Sequence, residues 1–152
     1  MMRRTPVLAQ SQKPKIGCGT ALPDGSTVGS RVNTVSNNIN NSAQLIPTPY
    51  GVSMQIGNGS SPLTVISNVY SGTNFRATFG GPGANYVFLG DAGNFAYGAV
   101  SANIGVPLSA TELAAGVYAL LTHPLSDAVG PFGMDPSATT QVPAGYSAQC
   151  TN

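Results

Sequence analysis

Residues 84–100 read Ala84-Asn85-Tyr86-Val87-Phe88-Leu89-Gly90-Asp91-Ala92-Gly93-Asn94-Phe95-Ala96-Tyr97-Gly98-Ala99-Val100, and the fold turns on how this run is divided. Ala84 to Leu89 is a short apolar run. Phe95 to Val100 places Phe95, Tyr97 and Ala99 on one side of an alternating pattern. Between them, Gly90-Asp91-Ala92-Gly93-Asn94 has the composition of a turn. Apolar alternation on either side of turn residues predicts two half-buried strands.

The same rhythm extends in both directions. Upstream, Phe75, Ala77 and Phe79 alternate with Arg76 and Thr78, and Gly80-Gly81-Pro82-Gly83 turns the chain. Further upstream, Val52, Met54 and Ile56 alternate with Ser53 and Gln55, and Gln44 to Ile46 is a short apolar run broken by Pro47-Thr48-Pro49. Gly57-Asn58-Gly59-Ser60 then suits a hairpin turn, because Asn-Gly tolerates positive φ, and Leu63 to Ile66 supplies the returning strand. Strand and turn recur about every ten residues, the pitch of small sandwiches and barrels. The predicted fold is mainly β: a single antiparallel β-barrel or sandwich, jelly-roll-like, with one short helix and extended N- and C-terminal arms. Residues 1–42 form the polar, basic arm, 43–143 the β-rich body and 144–152 the C-terminal tail.

The expected helix lies near 110–122. Ser109-Ala110-Thr111-Glu112 fits a capping box, Leu113, Val117, Leu120 and Leu121 form an apolar stripe, and His123-Pro124 stops the helix. Its small residues Ala114, Ala115, Gly116 and Ala119 suit close packing on two sides, against the sheet and against another subunit. Val28, Val32, Val35 and Ile39 also have helical spacing, but Asn33, Asn37, Asn38, Asn40 and Asn41 favour caps and turns, so 17–42 reads as extended surface chain. Residues 130–152 read as irregular coil.

Charge is sparse. The 152 residues hold six Lys and Arg against five Asp and Glu, for a net charge of +1. This excludes charged helical bundles and coiled coils. Arg3, Arg4, Lys13 and Lys15 make the arm basic, and no acid precedes Asp24. Such an arm can neutralise phosphates of a genome or anionic lipid heads of an internal membrane. It carries no aromatic side chain to stack on bases, which disfavours sequence-specific nucleic-acid recognition. Val7, Leu8 and Ala9 fall short of the apolar core of a secretory signal, and Leu113 to Leu121 is too short to span a bilayer.

Cys18 and Cys150 bracket nearly the whole chain. Two readings stand: a disulfide tying one end to the other, or two thiols acting as small apolar residues. Neither belongs to a C-x-x-C pair, and His123 is the one histidine, so no metal site and no cofactor are expected. Asp91 and Asp135 sit in turn-like contexts, and Asp91 with Asp127 is a weak candidate for paired carboxylates. No catalytic residue is assigned.

A β-rich domain covered by Ser, Thr, Asn, Gln and Gly has little charge to keep copies apart. The expected function is therefore a non-enzymatic structural subunit of a virus or phage particle, as shell, vertex or decoration protein, acting by self-assembly. Its partners are copies of itself and other shell proteins, it has no small-molecule substrate, and it resides in the virion after assembly in host cytoplasm. Two alternatives are a filament or surface-layer subunit, for which a Cys18–Cys150 disulfide is expected, and a carbohydrate-binding β-sandwich using Tyr70, Tyr86 or Tyr97.

Overall fold

Burial at helical spacing, rather than strand alternation, organises the chain. The computed structural model describes residues 15–48, 51–56, 62–80, 85–122 and 136–150, with side chains described in 15–39, 66–80, 85–117 and 136–150. In chain order the elements are α1 (Val28–Ser42), β1 (Ala43–Thr48), β2 (Gly51–Ile56), α2 (Pro62–Thr73), α3 (Phe75–Phe79), α4 (Asn85–Asn103), α5 (Leu108–Thr122) and α6 (Pro136–Ala148). The mainly β, jelly-roll-like expectation is thus overturned: the sheet among the described residues is one two-stranded antiparallel hairpin, and the other elements are helices.

Helix α4 explains the misreading. It spans 19 residues and buries Leu89, Ala92, Gly93 and every residue from Phe95 to Ser101. A helix enclosed on all sides carries no amphipathic period, so its alternation of Phe95, Tyr97 and Ala99 says nothing about strands. Its glycines mark close contacts instead of turns. A β-carbon at Gly93 would stand 2.7 Å from the Thr73 carbonyl oxygen, and one at Gly98 would overlap the carbonyl oxygen of Val142 in α6. Reciprocally, a β-carbon at Gly145 would overlap the carbonyl of Phe95. Helices α4 and α6 therefore cross backbone against backbone. Glycine costs a helix about 1 kcal/mol relative to alanine, and this approach is what it permits. Gly105, at φ 87°, then ends α4: Val106 N–H donates to Ser101 O at 2.9 Å and Gly105 N–H to Ala102 O at 3.2 Å, the paired bonds of a left-handed glycine cap.

Residues 16–42 are folded where they were expected to be extended. In α1, Val28 and Val32 are fully buried with Ser36 and Ile39 close behind, while Asn37 and Asn38 are exposed. Burial of each Val or Ile contributes about 1.5–3 kcal/mol, against the few tenths that an exposed asparagine costs a helix. The capping box lies here, not at Ser109: Ser30 N–H donates to Thr27 Oγ1 and Thr27 N–H to Ser30 Oγ, each at 3.1 Å. Before it, residues 16–27 form a strap with Ile16 and Leu22 buried and an Ala21–Thr27 bridge.

Two further strand readings become helices. The returning strand at Leu63–Ile66 lies in α2, which starts on Pro62, a residue preorganised for a first helical turn. Phe75–Phe79 is α3, capped by Asn74, whose side-chain oxygen accepts Ala77 N–H at 3.2 Å; its two phenylalanines pair one turn apart, ring centroids 5.9 Å. Strand β2 does coincide with the predicted Val52–Ile56. Its partner is the preceding β1, with Ala43 opposite Ile56 and Thr48 opposite Gly51, while the Gly57–Ser60 turn lies outside the described residues. The tail is likewise not coil: α6 runs through Pro143 to Ala148 and buries Ala138, Val142 and Gly145.

At its far end, left-handed backbone at Gln149 and Cys150, φ 61° and 55°, turns the chain so that Cys150 meets Cys18 in a disulfide with Cα atoms 5.4 Å apart. The bond closes a loop of 132 residues.

Gly145→Ala should destabilise the protein by about 2 kcal/mol or more, since the overlap falls on backbone that cannot swing aside; Gly19→Ala, with open space around it, should stay within about 0.5 kcal/mol. Paired denaturant titrations read both. Cys18→Ser with Cys150→Ser should cost about 5 kcal/mol on the chain-entropy account, measured in the same titration and compared with wild type under reductant.

Candidate functional site

An open apolar groove lies between α2, α3 and α5. In α2, Val69 and Thr73 are buried one turn apart, which rotates Ile66 and Tyr70, also one turn apart, towards the groove. In α5, the buried pair is Thr111 and Ala115. Two residues on, at about 200° around a helix of 3.6 residues per turn, Leu113 and Val117 stand 51% and 48% exposed. Leu113 and Val117, two members of the apolar stripe read from the sequence, therefore form the outer wall of a groove, while the smaller Thr111 and Ala115 are packed.

Tyr97 of α4 forms the floor. Its ring meets Tyr70 edge-on, centroids 6.2 Å apart at 65°, and its hydroxyl donates to Thr111 O at 2.8 Å. Thr111 in turn donates its hydroxyl to Pro107 O at 2.9 Å, inside the first turn of α5. Burial pushes the Tyr97 phenol well above the ordinary tyrosine range. The groove encloses about 690 Å³, within the size range of small-molecule sites. Ala77, Ala110 and Ala114 leave it wide; Ser67, Ser71 and Asn74 join the two tyrosines as its polar-bearing residues, and none of the described lining residues is charged.

The polar contacts elsewhere are structural ties. Ser137 at the start of α6 donates its hydroxyl to Asp91 Oδ1 at 2.6 Å and accepts from Asn94 Nδ2 at 2.9 Å. Asp91 is buried in α4 rather than placed in a turn, and it lies where the amide end of α6 favours a carboxylate. Asp24 accepts from Ser26 N–H at 3.0 Å and from its hydroxyl at 2.5 Å, and pairs with Arg31 at 2.6 Å. The Ser26 contacts and then Arg31 hold the Asp24 carboxyl down at about 2. Arg31 also lies over the Phe79 ring at 5.1 Å, and Arg76 stacks on Tyr86 at 3.6 Å while its Nε donates to Tyr86 O.

Of the residues singled out from the sequence, the structure joins Cys18 to Cys150 and leaves Lys15 exposed. Arg3, Arg4 and Lys13 lie outside the described residues, as do His123, Asp127 and Asp135. Tyr70, Tyr86 and Tyr97 do not make an exposed row: Tyr97 is 3% exposed, Tyr70 packs on it, and Tyr86 carries Arg76. Asn74, Ala77 and Ala114 were missed. The legible signal was a pair of one-turn apolar spacings, Ile66 with Tyr70 and Leu113 with Val117, that face each other. No family model matches the chain, nor does any curated protein or solved structure.

Tyr97→Phe should cost about 1 kcal/mol at neutral pH through the lost bond to Thr111 O. A raised folded-state pKa contributes stability below the ordinary tyrosine value and loses it as pH rises beyond, so the gap between wild type and Tyr97→Phe should narrow between neutral pH and about pH 11. Denaturant titrations at the two pH values measure it.

Proposed function

We propose that this chain is a non-enzymatic structural subunit that acts by self-assembly, as a component of a virus or phage particle. The observation that carries this reading is the near absence of charge from the described surface. Of the ionisable acids and bases there, Asp24 and Arg31 neutralise one another and Asp91 is buried, which leaves Lys15, Arg76 and Glu112 on the outside. Charge is what ordinarily keeps soluble chains apart. Val87 adds a large exposed apolar side chain to that surface. Because the described fold is mostly helical, the reading rests on surface chemistry and not on a β-rich architecture.

The basic arm gives the subunit a second kind of contact. Arg3, Arg4, Lys13 and Lys15 would face genome phosphates or an internal membrane, where four cations give a modest, salt-sensitive attraction. The Cys18–Cys150 disulfide favours a second reading, a filament or surface-layer subunit. Disulfides persist at virion and cell surfaces and are rare in reducing cytosol, so the bond supports a mature state outside the cell in either case.

Light scattering on the purified chain across concentration should give defined multiples of the 15.4 kDa mass, persisting near 1 M salt because uncharged contacts are not screened. Deleting residues 1–15 should impair assembly more than folding. A monomer at every concentration and salt would overturn the reading.

A further inference from the structure

We propose that the groove between α2, α3 and α5 is a binding site for an uncharged amphiphile: an alkyl or aromatic body with one oxygen acceptor at its polar end. The size and the lining argue together. About 690 Å³ suits a molecule of a few tens of atoms, and the walls are Ile66, Tyr70, Leu113 and Val117 over a Tyr97 floor. Two large apolar side chains, half exposed on α5, are what an apolar ligand would cover, and covering them removes unfavourable surface from water.

The polar lining decides the head group. Tyr97 already spends its hydroxyl proton on Thr111 O, so it has no donor left for the ligand. Asn74 uses its side-chain oxygen to cap α3, so what it can present is its amide N–H₂ group, a donor. Ser67 and Ser71 contribute hydroxyls beside it. A carbonyl, ester or alcohol oxygen matches this set. A carboxylate or ammonium does not, because none of the described lining residues carries a counter-charge and taking a lone charge out of water is costly.

The site is independent of self-assembly, and one set of measurements separates them. Nile red bound to the full-length chain is titrated with monolauroylglycerol below its micelle concentration, with dodecanoate and dodecyltrimethylammonium as charged controls, and light scattering follows the oligomeric state. The expected result is one saturable site per chain, displaced by monolauroylglycerol at least about tenfold more readily than by either ion. Ala114→Trp and Ala77→Trp, which fill the groove from opposite walls, should each lower dye affinity at least about tenfold with helical content unchanged. Absence of saturable binding to wild type, equal displacement by dodecanoate, or full binding by both Trp variants would overturn the site. A monomer that binds the dye leaves the site standing and removes the assembly reading; an assembly that does not bind it does the reverse.

Discussion

The crossing of α4 and α6 sets the rest of the structure. Because Gly98 and Gly145 lack side chains, each helix rests on the other's carbonyl oxygens, Val142 and Phe95. Contact at that distance leaves no slack for the two axes to slide. The register of α6 is then fixed again at its start, where Ser137 ties to Asp91 and Asn94, and at its end, where Cys150 is bound to Cys18. Through that last bond the strap of residues 16–27, and with it the entry into α1, is anchored to the opposite end of the chain.

The groove follows from how α4 distributes its surface. Helices α1, α2, α3, α5 and α6 all pack against it. With α6 taking the closest approach, the described part of α5 docks through Thr111, Ala115 and the Tyr97 hydroxyl rather than through Leu113 and Val117. Leu113 and Val117 thereby become a wall instead of core, and the space between them and Ile66 and Tyr70 stays open.

The sequence was legible where one local signal decided the outcome. The helix at 108–122 and the strand ending at Ile56 were both read from such signals, though Ser109 proved to be inside the first turn of α5 and not its cap. It was illegible where a tertiary contact reversed the local rule. Gly90-Asp91-Ala92-Gly93-Asn94 is a turn by composition and a helix interior by contact, because Gly93 packs on the Thr73 carbonyl and Asp91 reaches Ser137. In α1 the opposite error arose: the valine spacing was correct, and the asparagines that argued against it sit on the exposed face, where their preference for caps has little force. Half of the candidate site was visible as the Leu113–Val117 spacing; which side of α5 faced outward depended on Tyr97 and Thr111, 27 to 45 residues from the other wall's Ile66 and Tyr70.

The stability of this fold owes little to charge. The exposed Arg31–Asp24 pair, 34% and 40% accessible, contributes at most about 1 kcal/mol, whereas the disulfide contributes about 5 kcal/mol on the chain-entropy account. Burial, glycine contact and a covalent tie hold the described residues together from within, so the charge that is sparse on their surface is not what the fold rests on.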